Sequence, residues 1–157
     1  MTSSIAIRDL AELVHRRGDL YAGGRGRTTG EEGIATQRLL QRQRLDDSEH
    51  YQREVSVSAC VEIAGAQMLL KGRMDGLDLG VTPGRVEEFK TTRQSPEEAY
   101  QRDGVVHFAQ LKLYAALLAM SHPDHERFAL VLLYCHPETL QAHERVEILD
   151  REELSAF

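Results

Sequence analysis

The chain has no tryptophan, only four prolines and two cysteines in 157 residues, and aromatic residues make up just 6%. Two cysteines, Cys60 and Cys135, can neither ligate an iron–sulfur cluster nor close a zinc site alone. In a reducing compartment they read as buried thiols rather than a disulfide. No unbroken apolar run approaches the length of a membrane span. The start, Met1–Arg8, lacks the charged-then-apolar pattern of a secretory leader. The expectation is a soluble, cytoplasmic protein with no membrane partner. Internal repeats, low-complexity segments, a Gly-rich phosphate loop and a nucleophile motif are all missing, which leaves a small-molecule α/β enzyme without support. The net charge of −6 argues against tight, nonspecific nucleic-acid binding.

What is present fits one domain: the length suits a single core, and 41% of the residues are apolar. Charge is unevenly spread. Between His15 and Leu45 lie Arg16, Arg17, Arg25, Arg27, Arg38, Arg42 and Arg44, against Asp19, Glu31 and Glu32 alone. This basic third can hold a polyanion, or it can be a solvated arginine-rich surface.

Ile5, Ile7, Leu10, Leu13 and Val14 have the spacing of an amphipathic helix over residues 5–17. Gly18, Gly23, Gly24 and Gly26 then predict a loop, either a connector or a strap along a phosphate backbone. A second helix is expected from Thr29 to Leu45, capped by Thr28 or Thr29, with Ile34, Leu39 and Leu40 as its apolar side. Gly33 in this helix either permits a close approach or is simply tolerated. Period-two alternation from Tyr51 to Ile63 predicts a half-buried strand. Turns at Ala64–Gly65–Ala66 and Thr82–Arg85 lead into strands at Met68–Leu79 and Val86–Thr91, an antiparallel meander. Ser95 caps the next helix, with Pro96 at its first position. Asp103–Gly104 is expected to interrupt it before a longer helix over Val105–Met120. There Phe108, Leu111, Ala115 and Leu118 form the core stripe and His107, Gln110 and Tyr114 a neighbouring one. Phe128–Cys135 reads as a strand covered on both faces and Leu140–Leu149 as an outer strand. Asp150 caps a last helix. Because the chain stops at Phe157 before that helix has used its apolar side, a domain of a longer protein is expected.

Alternation along a strand puts Glu88 and Lys90 on one face, where Asp75 can meet them. Two carboxylates suit a divalent cation, and an ammonium beside them can stabilise an anion or help to activate water. This suggests metal-dependent phosphodiester hydrolysis; the bland alternative is a surface salt-bridge cluster. Glu87 falls on the opposite face and is expected to be solvated.

Asp75, followed after twelve intervening residues by Glu88–Phe89–Lys90, resembles the PD-(D/E)xK nuclease motif. Gly72–Arg73–Met74–Asp75 and the Gln-x-x-x-Tyr pattern at Gln110 and Tyr114 resemble its RecB-like branch. The resemblance implies an α/β (α+β) restriction-endonuclease-like fold, a mixed central sheet flanked by helices. It implies Mg2+ or Mn2+ held by Asp75, Glu88 and the Phe89 carbonyl, with Lys90 acting on the attacking water. Gln110 and Tyr114 would contact Lys90, the DNA backbone or the waters of the site, and Thr91 would brace it. Arg25, Arg27, Arg38, Gln37, Arg73 and Thr91 are the candidate DNA contacts, DNA being expected as single-stranded. One departure stands out. Where many of that branch carry Gly-x-x-x-His, this chain has Gly33 followed by Gln37, a weaker ligand; Glu32 is the available substitute. Gly30–Glu31–Glu32–Gly33 and His107-x-x-Gln110-x-x-x-Tyr114 further resemble nuclease-like domains attached to XPD/DinG-type helicases, which implies a helicase partner. The alternative function is a catalytically weak nuclease fold used for DNA binding or protein docking.

Overall fold

The computed structural model describes residues 3–15 and 29–157. The Gly/Arg stretch with Arg25 and Arg27 lies outside them. Among the described residues the order is β1 (Ser3–Ala6), α1 (Ile7–His15), α2 (Gly30–Asp47), β2 (Tyr51–Ile63), β3 (Ala66–Asp78), β4 (Gly84–Thr91), α3 (Pro96–Ser121), β5 (Arg127–Cys135), β6 (Ala142–Asp150) and α4 (Arg151–Ala156). The strands form one mixed sheet. β1 and β3 are parallel, as are β4 and β5, while the β2–β3, β3–β4 and β5–β6 pairs are antiparallel. The predicted α/β sheet flanked by helices is therefore present, including the meander β2–β3–β4.

β3 organises the sheet. β2 pairs with it along its whole length, from Ala66 to Asp78. Its other edge is divided. β1 takes Met68–Lys71, and β4 takes Gly76–Asp78. Gly72–Asp75 faces the gap between them.

One face of the sheet carries the main core. Leu70, Met74, Leu77, Val86, Phe128, Leu130 and Leu132 pack there against Ile7 of α1, Leu154 of α4, and Phe108, Leu111, Ala115 and Leu118 of α3. α3 is the crossover that joins the parallel strands β4 and β5. It runs unbroken over 26 residues, through Asp103–Gly104. Packing on both sides of that point outweighs the roughly 1 kcal/mol that a helical glycine costs. By length and hydropathy α3 is the one described helix that would suit a membrane, and 56% of that stretch is buried inside this fold. It is the core helix. Its last turn is closed by Arg151 of α4, whose guanidinium donates to the carbonyls of Ala119, His122 and His125 at 2.6, 3.1 and 3.1 Å.

Two N-terminal expectations are corrected. The first helix begins at Ile7, because Ser3–Ala6 is drawn into the sheet by β3, a pairing with no local signature. Ile34 and Leu39 of α2 are exposed, and the helix buries Thr36 and Gln41 instead, with Leu40 half-buried against Phe89 and Leu133. Its inner stripe reads Gly33, Thr36, Gln37, Leu40, Gln41 and Arg44, at helical spacing but mostly polar. Cys135 is buried as expected, whereas Cys60 is exposed on β2.

Candidate active site

The centre forms where β3 and β4 part. Beyond the Gly76–Glu87 pair the two strands no longer bond to each other. Period-two alternation also slips here. Met74 faces the main core, and so does Leu77, an odd spacing. Opposite the slip, Glu54 of β2 has φ 53. The Asp75 side chain is thereby aimed at the neighbouring strand: its Oδ2 accepts from the Phe89 backbone N–H at 2.8 Å. Tyr114 of α3 donates its hydroxyl to the Arg73 carbonyl at 3.1 Å, and Gln41 of α2 donates Nε2 to the Asp75 carbonyl at 2.9 Å. Side chains thus satisfy backbone groups that the parted ladder leaves open.

Gly72 makes room for this. A Cβ at that position would stand 2.6 Å from the Tyr114 ring and 3.3 Å from Ile7. Gly33, by contrast, is not forced: a Cβ there would meet only Thr91 Oγ1, at 3.9 Å. Thr91 lies beneath α2 at that point.

Glu88 is buried on β4. Its Oε1 accepts from Lys90 Nζ at 2.6 Å and from Gln110 Nε2 at 3.2 Å. Gln110 Nε2 also donates to the Tyr114 hydroxyl at 2.9 Å. Among the described residues Glu88 Oε2 is buried without a hydrogen-bond partner. A carboxylate oxygen removed from water and left unpaired is costly unless a cation is meant to sit against it. Asp75 carries the matching signature: burial and then the nearby Glu88 charge raise its pKa to about 7, only partly offset by the Phe89 N–H, Lys90 and Arg73. Burial and the Glu88 charge likewise push the Tyr114 hydroxyl up to about 12, so it remains a donor at neutral pH. Two carboxylates with one buried open oxygen fit a hard divalent cation with oxygen ligands.

Lys90, Glu88, Gln110 and Tyr114 form one hydrogen-bonded chain. Asp75 and Gln37 form a second group, Gln37 Nε2 donating to Asp75 Oδ1 at 3.0 Å, which meets the first through the Phe89 N–H next to Glu88 and through the Glu88 charge that acts on Asp75. Arg73 and Arg38 are exposed nearby on β3 and α2. Glu32 is no substitute ligand. One of its oxygens closes the α2 capping box with the Thr29 N–H at 3.0 Å, and the other pairs with Arg93. His107 shares a hydrogen bond with the Tyr134 hydroxyl at 2.8 Å. Among the described residues no group of three or more His, Cys, Asp or Glu side chains forms a metal cluster.

Glu87 corrects a further expectation. It is fully buried, not solvated. The Tyr51 hydroxyl donates to it at 3.0 Å, and Arg44 and Arg85 pair with it at 3.1 and 2.5 Å. Glu144 of β6 bridges both arginines, at 2.9 Å each. Arg44 is consequently a tether between α2 and the sheet rather than a free basic group. Sequence reading missed Gln41 and this network. The only trace was the line Gly33, Gln37, Gln41 and Arg44, which shares one helix face.

A comparison with curated protein sequences returns no match. Among solved structures the chain is similar to the crystal structure of the protein SSO0001, with a TM-score of 0.60 and 21% identity, covering 99% of this chain and 73% of that one. At that identity the likeness concerns the fold. The model of the PD-(D/E)XK nuclease superfamily matches residues 6–157. That match runs from the last residue of β1 to the end of the chain, so it takes in both strands that part at Asp75 and the helices that cover them. The chain belongs to the PD-(D/E)XK nuclease superfamily.

Proposed function

We propose that this protein is a divalent-metal-dependent deoxyribonuclease that hydrolyses phosphodiester bonds of single-stranded DNA. One observation carries the reading: a buried Glu88 oxygen, unpartnered among the described residues, beside an Asp75 carboxyl whose pKa is raised by burial and then by that same glutamate. Asp75, Glu88 and the Phe89 carbonyl would hold Mg2+ or Mn2+. The cation, when bound, supplies charge to offset the developing phosphorane and to acidify water. Lys90, held on Glu88 Oε1, would act on the attacking water. Gln110 divides its amide protons between Glu88 and Tyr114 and so fixes both. Exposed Arg38 and Arg73 offer charge-assisted bonds to the sugar–phosphate backbone, and Thr91 braces β4 under α2.

Placement in the RecB-like branch rests on Gly72–Asp75 and on Gln110 with Tyr114. A helicase partner, in the same chain or complex, rests on the Gly30–Gly33 and His107–Tyr114 patterns. The test is Mn2+-dependent cleavage of single-stranded DNA by the purified protein. Asp75→Ala and Lys90→Ala should each reduce it by about a thousandfold or more, in line with removal of a main electrostatic group. Cleavage that persists in both variants would refute the assignment.

A second reading, a DNA-binding or docking module with little catalysis, is favoured by the amide of Gln37 on Asp75 and the net charge of −6. Salt-sensitive DNA binding without cleavage in any metal would select it.

A further inference from the structure

Two amides reach the candidate centre from α2, one turn apart. Gln41, 1% exposed, is fixed on the Asp75 backbone carbonyl. Gln37 instead touches the Asp75 carboxylate, through Nε2 on Oδ1 at 3.0 Å. Among the described residues its Oε1 has no partner, and half a turn about the last side-chain torsion exchanges Oε1 for Nε2. α2 is held in place for this by the pair of Arg44 with buried Glu87. No imidazole or thiolate joins Asp75 and Glu88 in a cluster among the described residues. Besides the Lys90 ammonium and the Tyr114 hydroxyl, the side chains brought to the gap are carboxylates and amides.

We propose that Gln37 sets the metal preference of this protein. In the metal-free state its amide protons screen Asp75. Turned about its last torsion, the amide would offer Oε1 to a divalent cation as a third side-chain oxygen beside Asp75 and Glu88. An all-oxygen set favours Mg2+ and Mn2+ over metals that prefer imidazole. This rests on the metal-dependent reading of the site, and the experiment separates the two.

Binding of Mg2+, Mn2+ and Co2+ to the intact protein is measured by titration calorimetry, without DNA. Gln37→Leu should weaken Mg2+ binding by about 10- to 100-fold, the range for loss of a supporting ligand. Gln37→His should raise the ratio of Co2+ to Mg2+ affinity by about tenfold or more. Thermal melts without metal establish that each variant is folded. Mg2+ affinity within about twofold of wild type in Gln37→Leu, or an unchanged Co2+ to Mg2+ ratio in Gln37→His, overturns the proposal. Asp75→Asn is the control. If it abolishes binding while the Gln37 variants behave as wild type, the metal centre stands and the role of Gln37 falls. If Asp75→Asn binds as wild type does, the centre itself is misassigned.

Discussion

Asp75 is caught between fold and chemistry. In a carboxylic acid whose folded pKa is raised, the neutral form is the one the fold favours. The stabilisation is full below the ordinary value near 3.8 and is lost as pH rises through about 7. The metal-free protein should therefore melt at a lower temperature at pH 8 than at pH 5.5 as far as this group decides. Asp75→Asn should raise the melting temperature at pH 8 by several degrees, about 2 kcal/mol, and abolish cleavage. Added Mn2+ should stabilise the wild type at pH 8 and leave the variant unmoved. Glu87 behaves in the opposite way. It is buried but fully paired, so Glu87→Ala leaves two arginines and the Tyr51 hydroxyl short of their partner. A loss of about 2–4 kcal/mol in denaturant unfolding is expected. Nothing local marked Glu87 as buried. Alternation gives the face, but not that α2 and Tyr51 close over it.

Elements whose period is set by their own residues were legible. β2 runs from Tyr51 to Ile63 as its alternation predicts, and Ser95 and Asp150 cap their helices. Elements decided by distant partners were not. β1 exists only through β3, and α2 turns a polar stripe inward because Asp75 supplies acceptors for its amides. Gly33 gives a direct test on α2. Its added methyl meets nothing closer than 3.9 Å, so Gly33→Ala should stabilise the helix by about 0.5–1 kcal/mol, read in thermal melts. Gly72→Ala should do the reverse. Its methyl overlaps the Tyr114 ring, so loss of stability by about 1–3 kcal/mol and a drop in cleavage should go together.

At the scale of the molecule, the motif residues Asp75, Glu88, Lys90, Gln110 and Tyr114 were readable as a set, because their order and spacing carry the family pattern. Why they converge was not readable, since it depends on which edge of β3 each neighbour occupies. With β2 along one side and β1 and β4 sharing the other, the sheet opens at a single place. The centre therefore joins residues from β3, β4, α2 and α3, and any change that shifts α2 against the sheet should reach it. Arg44→Ala, more than a turn away from Gln37 on α2, should weaken Mn2+ binding as well as stability, which titration calorimetry on the folded variant would detect.

The opening in the sheet has a consequence for descent. Tyr114 and Asp75 mend main-chain groups there, so they would be kept for architecture even in a lineage without catalysis. Lys90 mends no main-chain group; among the described residues its ammonium bonds to Glu88 alone. In sister proteins of this shape, loss of the lysine with retention of the tyrosine would mark the silent ones.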